Sequence, residues 1–314
     1  MLSVGNFCVD LLVKPVRRLP PPGGLEIIDE YELQTGGCSN NCAIALARLG
    51  LSVATVGRVG QDRTGDIVLD LLARNGVRTD LMVRDPSART SLSVVVVNER
   101  GERSFIHHPG ATQNLSLGDV PWERLESARA VHVGGAFLLP RLDGQPMAEL
   151  LRWARELGAI TFVDTAVDGK GNRLEVLEPI LPHVDYFLPS EAEALGMTGS
   201  GVPEDMAAFL LARGVGTVCI KLGERGCYVA GAGDEGRYVP AFDVDPVDTC
   251  GAGDTFTAGF IAGILNGLDS VGAARLANAV GAMCVTGLGA TTAVGTWEET
   301  LAFMARTPTR TAAA

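Results

Sequence analysis

The stretch VDTCGAGDTFTAGF, residues 247–260, sets Asp254 directly behind the small residues Gly251, Ala252 and Gly253, where a helix is predicted to begin. Unpaired N–H groups at a helix start, with the helix dipole behind them, favour an anion such as a phosphoryl group in transfer. Glycines let that backbone approach a ligand closely. A carboxylate at the same place can cap the helix, or it can accept the proton of a hydroxyl that attacks the phosphoryl group. Local chemistry alone favours the cap.

Three other stretches bear on that choice. In TGGCSNNCAIALARLG, Gly36 and Gly37 precede an Asn-rich helix start, and Ala43, Ala45 and Ala47 keep the helix slim. Paired glycines and an amide that both donates and accepts suit a hydroxylated ligand, and equally suit a tight turn with Asn40 or Asn41 as N-cap. KLGERGCYV places Lys221, Gly223 and Gly226 after a strand, in a turn suited to nucleotide phosphates. LANAVGAMCVTGLGAT puts Asn278 and small residues on a helix able to face an adenine ring. The adjacent His107 and His108 would point to opposite faces of a strand, which favours solvent or packing roles over joint metal binding. GAGDEG, Gly231 to Gly236, matches a dinucleotide fingerprint in letters only, because the strand-like RYVPAF follows it where a helix is required.

The elements that must position these residues alternate between strand and helix. Helices are predicted over 40–49, 64–75, 147–158 and 203–213. Strands are predicted over 52–60, 129–137, 159–166, 184–190 and 216–223. That rhythm predicts a mainly parallel sheet covered by helices on both faces. Residues 10–35, with LPPPGG inside, and 89–109, a hairpin turning at NERGE, supply no crossover helix. They read as a small sheet over the main domain, a lid, with decorated surface loops as the alternative.

With 314 residues, 46% hydrophobic and 20% charged, the chain has the balance of a soluble globular protein with a sizeable core. A net charge of −11 argues against a nucleic-acid partner bound through a basic face. The 7 cysteines lack metal-ligand spacing and read as buried or incidental thiols. The first residues lack the basic start of a signal peptide, and no apolar run reaches membrane-spanning length. A cytoplasmic protein with no membrane partner is expected.

Taken together, DTCGAGDTFTAG and GGCSNNCAIA resemble the two signatures of the ribokinase-like, or PfkB, family of carbohydrate kinases, with motif order kept from Asp10 to Gly289. The resemblance implies a Rossmann-like three-layer α/β/α fold with a small β-sheet lid. Residues 1–9, 36–88 and 112–306 would form the kinase domain and 10–35 and 89–111 the lid, with 307–314 a frayed tail. It implies transfer of the γ-phosphoryl group of ATP to a sugar hydroxyl, with Mg²⁺. Asp254 falls on the family's catalytic base and Gly251, Ala252 and Gly253 on its anion hole. Asp10, Gly36, Gly37 and Asn41 fall on positions that hold the sugar, and Ser190, Lys221, Gly223, Gly226 and Asn278 on the ATP side. Glu193 falls on a glutamate that holds Mg²⁺ through water; Asp248, Cys250 and Gly289 lie near a monovalent-cation site, for K⁺, found in many members. Lids in the family often pair in homodimers, and the alternation of SLSVVVVN would suit such a surface.

The chain departs from the family pattern in three places: Ser190 stands where Asn is usual, Cys38 where ribokinases carry Lys, and GGAFLL where they carry Glu. These departures leave the sugar open. A nucleoside kinase on the same fold is the nearest alternative, a catalytically silent ligand-binding relative the next, and a nicotinamide dehydrogenase the weakest.

Overall fold

Alternating β-rich runs and amphipathic helices assemble around a mixed sheet in the computed structural model, which describes residues 1–100, 102–166 and 174–310. Its eight strands lie in the order β14 (Arg237–Val239), β13 (Cys227–Gly231), β12 (Thr217–Lys221), β11 (Tyr186–Phe187), β10 (Ile160–Thr165), β9 (Ala130–Ala136), β1 (Leu2–Gly5) and β4 (Ala54–Val56). Strands β4 to β12 along that order pair parallel; β13 and β14 pair antiparallel. Strand β9 is buried along its whole length, as a strand covered on both faces must be.

Helices α1 (Cys38–Arg48), α2 (Arg63–Arg74), α8 (Ala252–Leu265) and α9 (Ser270–Val285) pack on one sheet face around Ile44, Leu72, Phe260 and Leu276. On the other face lie α4 (Gln145–Glu156), α6 (Glu191–Thr198) and α7 (Pro203–Leu211), around Met147, Leu151, Met197 and Leu210. The short α3 (Trp122–Leu125) and α5 (Leu174–Leu177) and the late α10 (Trp297–Arg306) complete the helices among the described residues. Two cores separated by one sheet make the three-layer architecture that the sequence predicts. Among the described residues no helix is long and apolar enough to cross a membrane.

A second sheet of four strands, β3 (Glu30–Gly36), β2 (Cys8–Lys14), β7 (Ser91–Val97) and β8 (Arg103–His108), forms the lid. Both expected lid segments supply it, although β2 starts at Cys8 and β3 runs on to Gly36. Gly101, in the expected turn, lies outside the described residues. Register gives the lid two chemically distinct faces. Gln34, Asp10, Ser93 and His107 pair across the strands on one face; Leu33, Leu11, Val94 and Ile106 do so on the other.

Two expectations need adjustment, and one element was not expected. The strand expected over 52–60 is two, β4 in the main sheet and β5 (Arg58–Gly60), which pairs with β6 (Val83–Asp85). The chain breaks at Gly57, where a Cβ would lie 2.3 Å from the Phe7 ring, so the backbone turns past a buried aromatic. Helix α6 is an element the apolar pattern did not announce. The tail expected to fray from 307 is held as far as Arg310, whose N–H donates to the Ala241 carbonyl at 2.8 Å; residues 311–314 lie outside the described residues.

Candidate active site

Helix α8 begins on Gly251, in the left-handed region at φ 72°. A Cβ there would lie 2.4 Å from the Ala290 carbonyl oxygen, so glycine is what lets the two loops close on each other. Ala252 and Gly253 open the first turn, and Asp254 stands inside it. The N-cap is Gly251, which makes no side-chain cap bond, so Asp254 is not the helix cap. Its Oδ2 instead accepts from Asn41 Nδ2 at 2.8 Å, across the gap to α1. Burial pushes the Asp254 carboxyl above its ordinary range, against the bond from Asn41 and the charge of Lys221.

Helix α1 starts at Gly37, at φ 94°, where a Cβ would lie 2.6 Å from the Asn6 carbonyl oxygen. The N-cap therefore falls on Gly37 and on neither asparagine. Asn40 donates to the Cys8 and Gly36 carbonyls, at 3.2 and 3.0 Å, and so fixes the point where β2 and β3 leave the domain. Asn41 is left to face Asp254, and its buried Oδ1 has no partner among the described residues.

Asp10, on β2, is buried, and Gly36 makes room for it: a Cβ at Gly36 would lie 2.1 Å from Asp10 Oδ1. Burial pushes the Asp10 carboxyl up to about 6, with bonds from Ser93 and Cys8 opposing. His107 shares the Asp10 row, and its Nδ1 lies 3.1 Å from Ser93 Oγ. Burial lowers the His107 pKa, with His108 adding to the effect, which favours a neutral ring on this face.

On the opposite side of Asp254, Lys221 ends β12 with its Nζ 3.5 Å from where a Gly253 Cβ would stand. It donates to Asp164 Oδ1 at 2.7 Å, and Thr257 Oγ1 donates to Asp164 Oδ2 at 2.9 Å. Burial opposes the Lys221 charge, but Asp164 and Glu193 outweigh it and hold the ammonium protonated above its ordinary range. Burial also raises the Asp164 carboxyl, against the pull of Lys221. Asp164 was not singled out in the sequence. It sits at the carboxyl end of β10, beside a break in register with β9 at Val163 and Thr165, where α/β sheets carry their ligands.

Glu193 is buried at the start of α6, where its Oε2 accepts from the Ser190 N–H at 2.7 Å and from Thr165 Oγ1 at 2.9 Å. Ser190 Oγ accepts in turn from the Glu193 N–H at 3.3 Å. Residues SEAE are thus a capping box, and the serine that replaces the expected asparagine is occupied as a helix cap.

A cleft of about 350 Å³ runs from Ala252, Gly253 and Lys221 to an apolar end at Phe242, Val244 and Val285. Gly223 opens onto it with free space around its Cα. Gly226 lines it too, but a Cβ there would meet the Val239 carbonyl oxygen at 2.1 Å, so its glycine serves strand packing. Asn278 borders the cleft with Nδ2 donating to the Val239 and Pro240 carbonyls, at 2.9 and 3.2 Å.

Asp248 lies under this loop, its side chain fully buried. Oδ1 accepts from the Cys250 N–H at 2.7 Å and Oδ2 from the Gly289 N–H at 2.8 Å. The guanidinium of Arg103, reaching over from β8 of the lid, completes the set through Nη2 on Oδ1. The Cys284 thiol donates to the Cys250 and Ala290 carbonyls, at 3.3 and 3.2 Å. Both oxygens of Asp248 and the Cys250 carbonyl thus already have partners, which does not fit the K⁺ site expected there.

Among the described residues no three His, Cys, Asp or Glu side chains gather as a metal shell. Mg²⁺ seldom needs one, since it keeps much of its water and binds through one or two carboxylates plus substrate phosphates. Asp164 and Glu193 lie buried beside Lys221 and already accept from Lys221, Thr257, Ser190 and Thr165, so they suit that role as acceptors from metal-bound water.

A family model described as pfkB family carbohydrate kinase matches residues 1–297. A 2-dehydro-3-deoxygluconokinase of Bacillus subtilis is 29% identical over 294 residues, covering 90% of each chain. An Arabidopsis thaliana ribokinase, solved with ribose and ATP, superposes with a TM-score of 0.84 at 25% identity, covering 96% of this chain and 97% of that one. A putative ribokinase II of E. coli, solved with ATP and Mg²⁺, superposes at 0.82 with 26% identity, over 97% of this chain and 98% of that one.

Proposed function

The chain belongs to the pfkB family of carbohydrate kinases and is a sugar kinase of the ribokinase-like fold, and we propose that Asp254 is the base of its transfer reaction. The γ-phosphoryl group of ATP passes to a sugar hydroxyl held between the lid and α1. Asp254 accepts the hydroxyl proton, and the N–H groups of Gly251, Ala252 and Gly253, with Lys221 beside them, carry the charge of the phosphoryl group in flight. The observation that supports this most is that Asp254 does not cap its own helix: it faces Asn41 across the gap, next in the chain to Gly253, which lines the nucleotide cleft.

Asp10, Asn41 and the paired glycines hold the sugar, and the polar row Gln34, Asp10, Ser93 and His107 suits a polyhydroxylated ligand better than a nucleobase. A nucleoside would present its ribose hydroxyls to the same row, so turnover of nucleosides against free sugars is what separates the two. The apolar end of the cleft suits adenine, with Asn278 shaping its wall. Mg²⁺, held through Asp164 and Glu193, would neutralise phosphate charge as ATP binds. The relatives include kinases of ribose and of a keto-sugar acid, so likeness alone does not choose the sugar. Residues 10–35 and 89–111 act as the moving lid. The apolar outer row Leu33, Leu11, Val94 and Ile106 supports a lid-to-lid homodimer.

A screen of ADP release across pentoses, hexoses, keto-sugar acids and nucleosides identifies the acceptor. In the same screen, Asp254→Asn is expected to lose roughly 10²-fold or more in kcat while ATP binding persists. Near-normal turnover of that variant removes the base assignment.

A further inference from the structure

The family implies a free monovalent cation beside Asp248, and the residues present do not leave room for one. The Asp248 carboxylate is closed by the Cys250 and Gly289 N–H groups and by the Arg103 guanidinium, with side-chain exposures of 0% and 15% for Asp248 and Arg103. A buried carboxylate needs a positive partner or it becomes strongly destabilising. Here that partner is tethered to the chain. Crucially, it comes from the lid: Arg103 is the first residue of β8, one edge strand of the lid sheet.

The loop that Asp248 organises is the one that matters for transfer. Its Oδ1 holds the Cys250 N–H, the residue before Gly251, and its Oδ2 holds the Gly289 N–H, next to the Ala290 carbonyl against which Gly251 packs. The second lid contact lands on the same place. Gln34, on the other edge strand β3, puts its side-chain amide 3.0 Å from where a Gly289 Cβ would stand. Both edges of the lid therefore bear on the two loops that shape the start of α8.

We propose that Arg103 is a positioning residue: with the lid closed, its guanidinium neutralises Asp248 and sets the Gly251–Gly253 loop for transfer, making turnover independent of free monovalent cations. Lid closure and assembly of the anion site are then one event, joined by the Arg103–Asp248 pair. Opening the lid withdraws the charge and lets the loop relax, so the transfer site is fully formed only around an enclosed sugar. The inference rests on the assignment of Gly251 to Gly253 as the anion site.

The test is kcat for ADP release, with a saturating accepted sugar, in tetramethylammonium buffer against added NaCl, KCl or CsCl. The wild type is expected to respond little, within about twofold, as general ionic strength would produce. Arg103→Ala is expected to lose roughly 10- to 100-fold in kcat, the scale of a displaced catalytic group. K⁺ or guanidinium ion should restore part of that loss by entering the vacated place. Strong K⁺ activation of the wild type overturns the proposal, as does an Arg103→Ala enzyme with normal turnover. A loss that no small cation repairs also overturns it, since it marks a packing role. Should Arg103→Ala fail to fold, Arg103→Gln, which keeps most of the packing, takes its place. It is expected to show low kcat partly restored by K⁺, and wild-type turnover, or a loss that no small cation repairs, would sink the idea. The Asp254→Asn arm separates the two levels: an active Asp254→Asn enzyme discredits the base assignment and the transfer site built around it, whereas cation-dependent wild-type turnover discredits only Arg103.

Discussion

On the function proposed above, the nucleotide side and the sugar side of this site are built by opposite strategies. The nucleotide side comes from the ends of β12, α8 and α9 in the main domain, with backbone amides, one buried lysine and an apolar cleft. The sugar side is assembled by register: Asp10, Gln34, Ser93 and His107 belong to four separate strands and meet because the lid strands pair as they do. A loop beside a helix start can read a phosphate with little sequence beyond its glycines. A polyol has no common handle, so its recognition must be spread over many side chains. The contrast explains how one scaffold keeps ATP while its relatives differ in acceptor.

The sharpest way to break this contrast is Gly36→Ala. The new Cβ would stand 2.1 Å from Asp10 Oδ1, and a buried carboxylate with Cys8 and Ser93 against it has little freedom to move. The sugar KM is expected to rise about 10²-fold, as for a misplaced positioning group, with ATP affinity unchanged. Equal losses for both substrates, in steady-state kinetics, would mean that the two sides are not independent.

Proton titration separates the halves next. Asp10 has its carboxyl pushed up to about 6 by burial, and burial also raises Asp254. Both must be ionised to accept from hydroxyls. Below pH about 6, kcat/KM for the sugar is therefore expected to fall by up to about tenfold per pH unit. Stability moves the other way. A carboxyl whose pKa is higher folded than unfolded binds protons more readily in the fold, so its contribution is present at low pH and lost as pH rises through the folded value. Asp62 is the reverse case: burial opposes ionisation, but bonds from Thr90 and Gly65 hold it below the ordinary range, and its stabilisation fades only as pH falls through that lowered value. Between pH 7 and 5 the activity should drop without a matching fall in Tm. Parallel loss of both would point to acid unfolding instead of titration at Asp10.

What the sequence revealed follows the same division. The GAGD turn and the turn after Lys221 were legible because each is local: a few adjacent residues fix the backbone. Helices α1, α2, α4 and α7 were legible for the same reason, through their apolar spacing. The bond between Asn41 and Asp254 joins residues 213 apart, and no local pattern announces it. Asp164 left a faint sign, an aspartate ending the apolar run ITFVD. Arg103 left none, since it is one charge in a hairpin rich in charges until the lid folds over Asp248. Ser190 is the opposite case. Its place in a capping box is legible in SEAE itself, a serine followed three residues later by a glutamate, without any likeness to the family.

The smallest effect is expected at Asn278, and it tests whether the adenine end is a contact or a wall. Its Nδ2 already donates to the Val239 and Pro240 carbonyls, so the side chain joins α9 to the end of β14 beside the cleft. If Asn278 shapes the cleft, Asn278→Ala leaves two carbonyls short of a donor and lets the wall loosen. The cost should be about 1–2 kcal/mol of stability and a rise of only severalfold in the KM for ATP. The kcat and the sugar KM should stay within about twofold, since neither Asp254 nor the lid depends on that wall. If Asn278 instead reads the adenine ring directly, the variant should lose its preference for ATP over GTP while keeping its Tm. Comparing the two triphosphates at equal concentration, alongside a thermal melt, decides between these roles. A loss of kcat with the nucleotide KM unchanged would contradict both, because it would carry an effect from the adenine end to the transfer site that the geometry gives no path for.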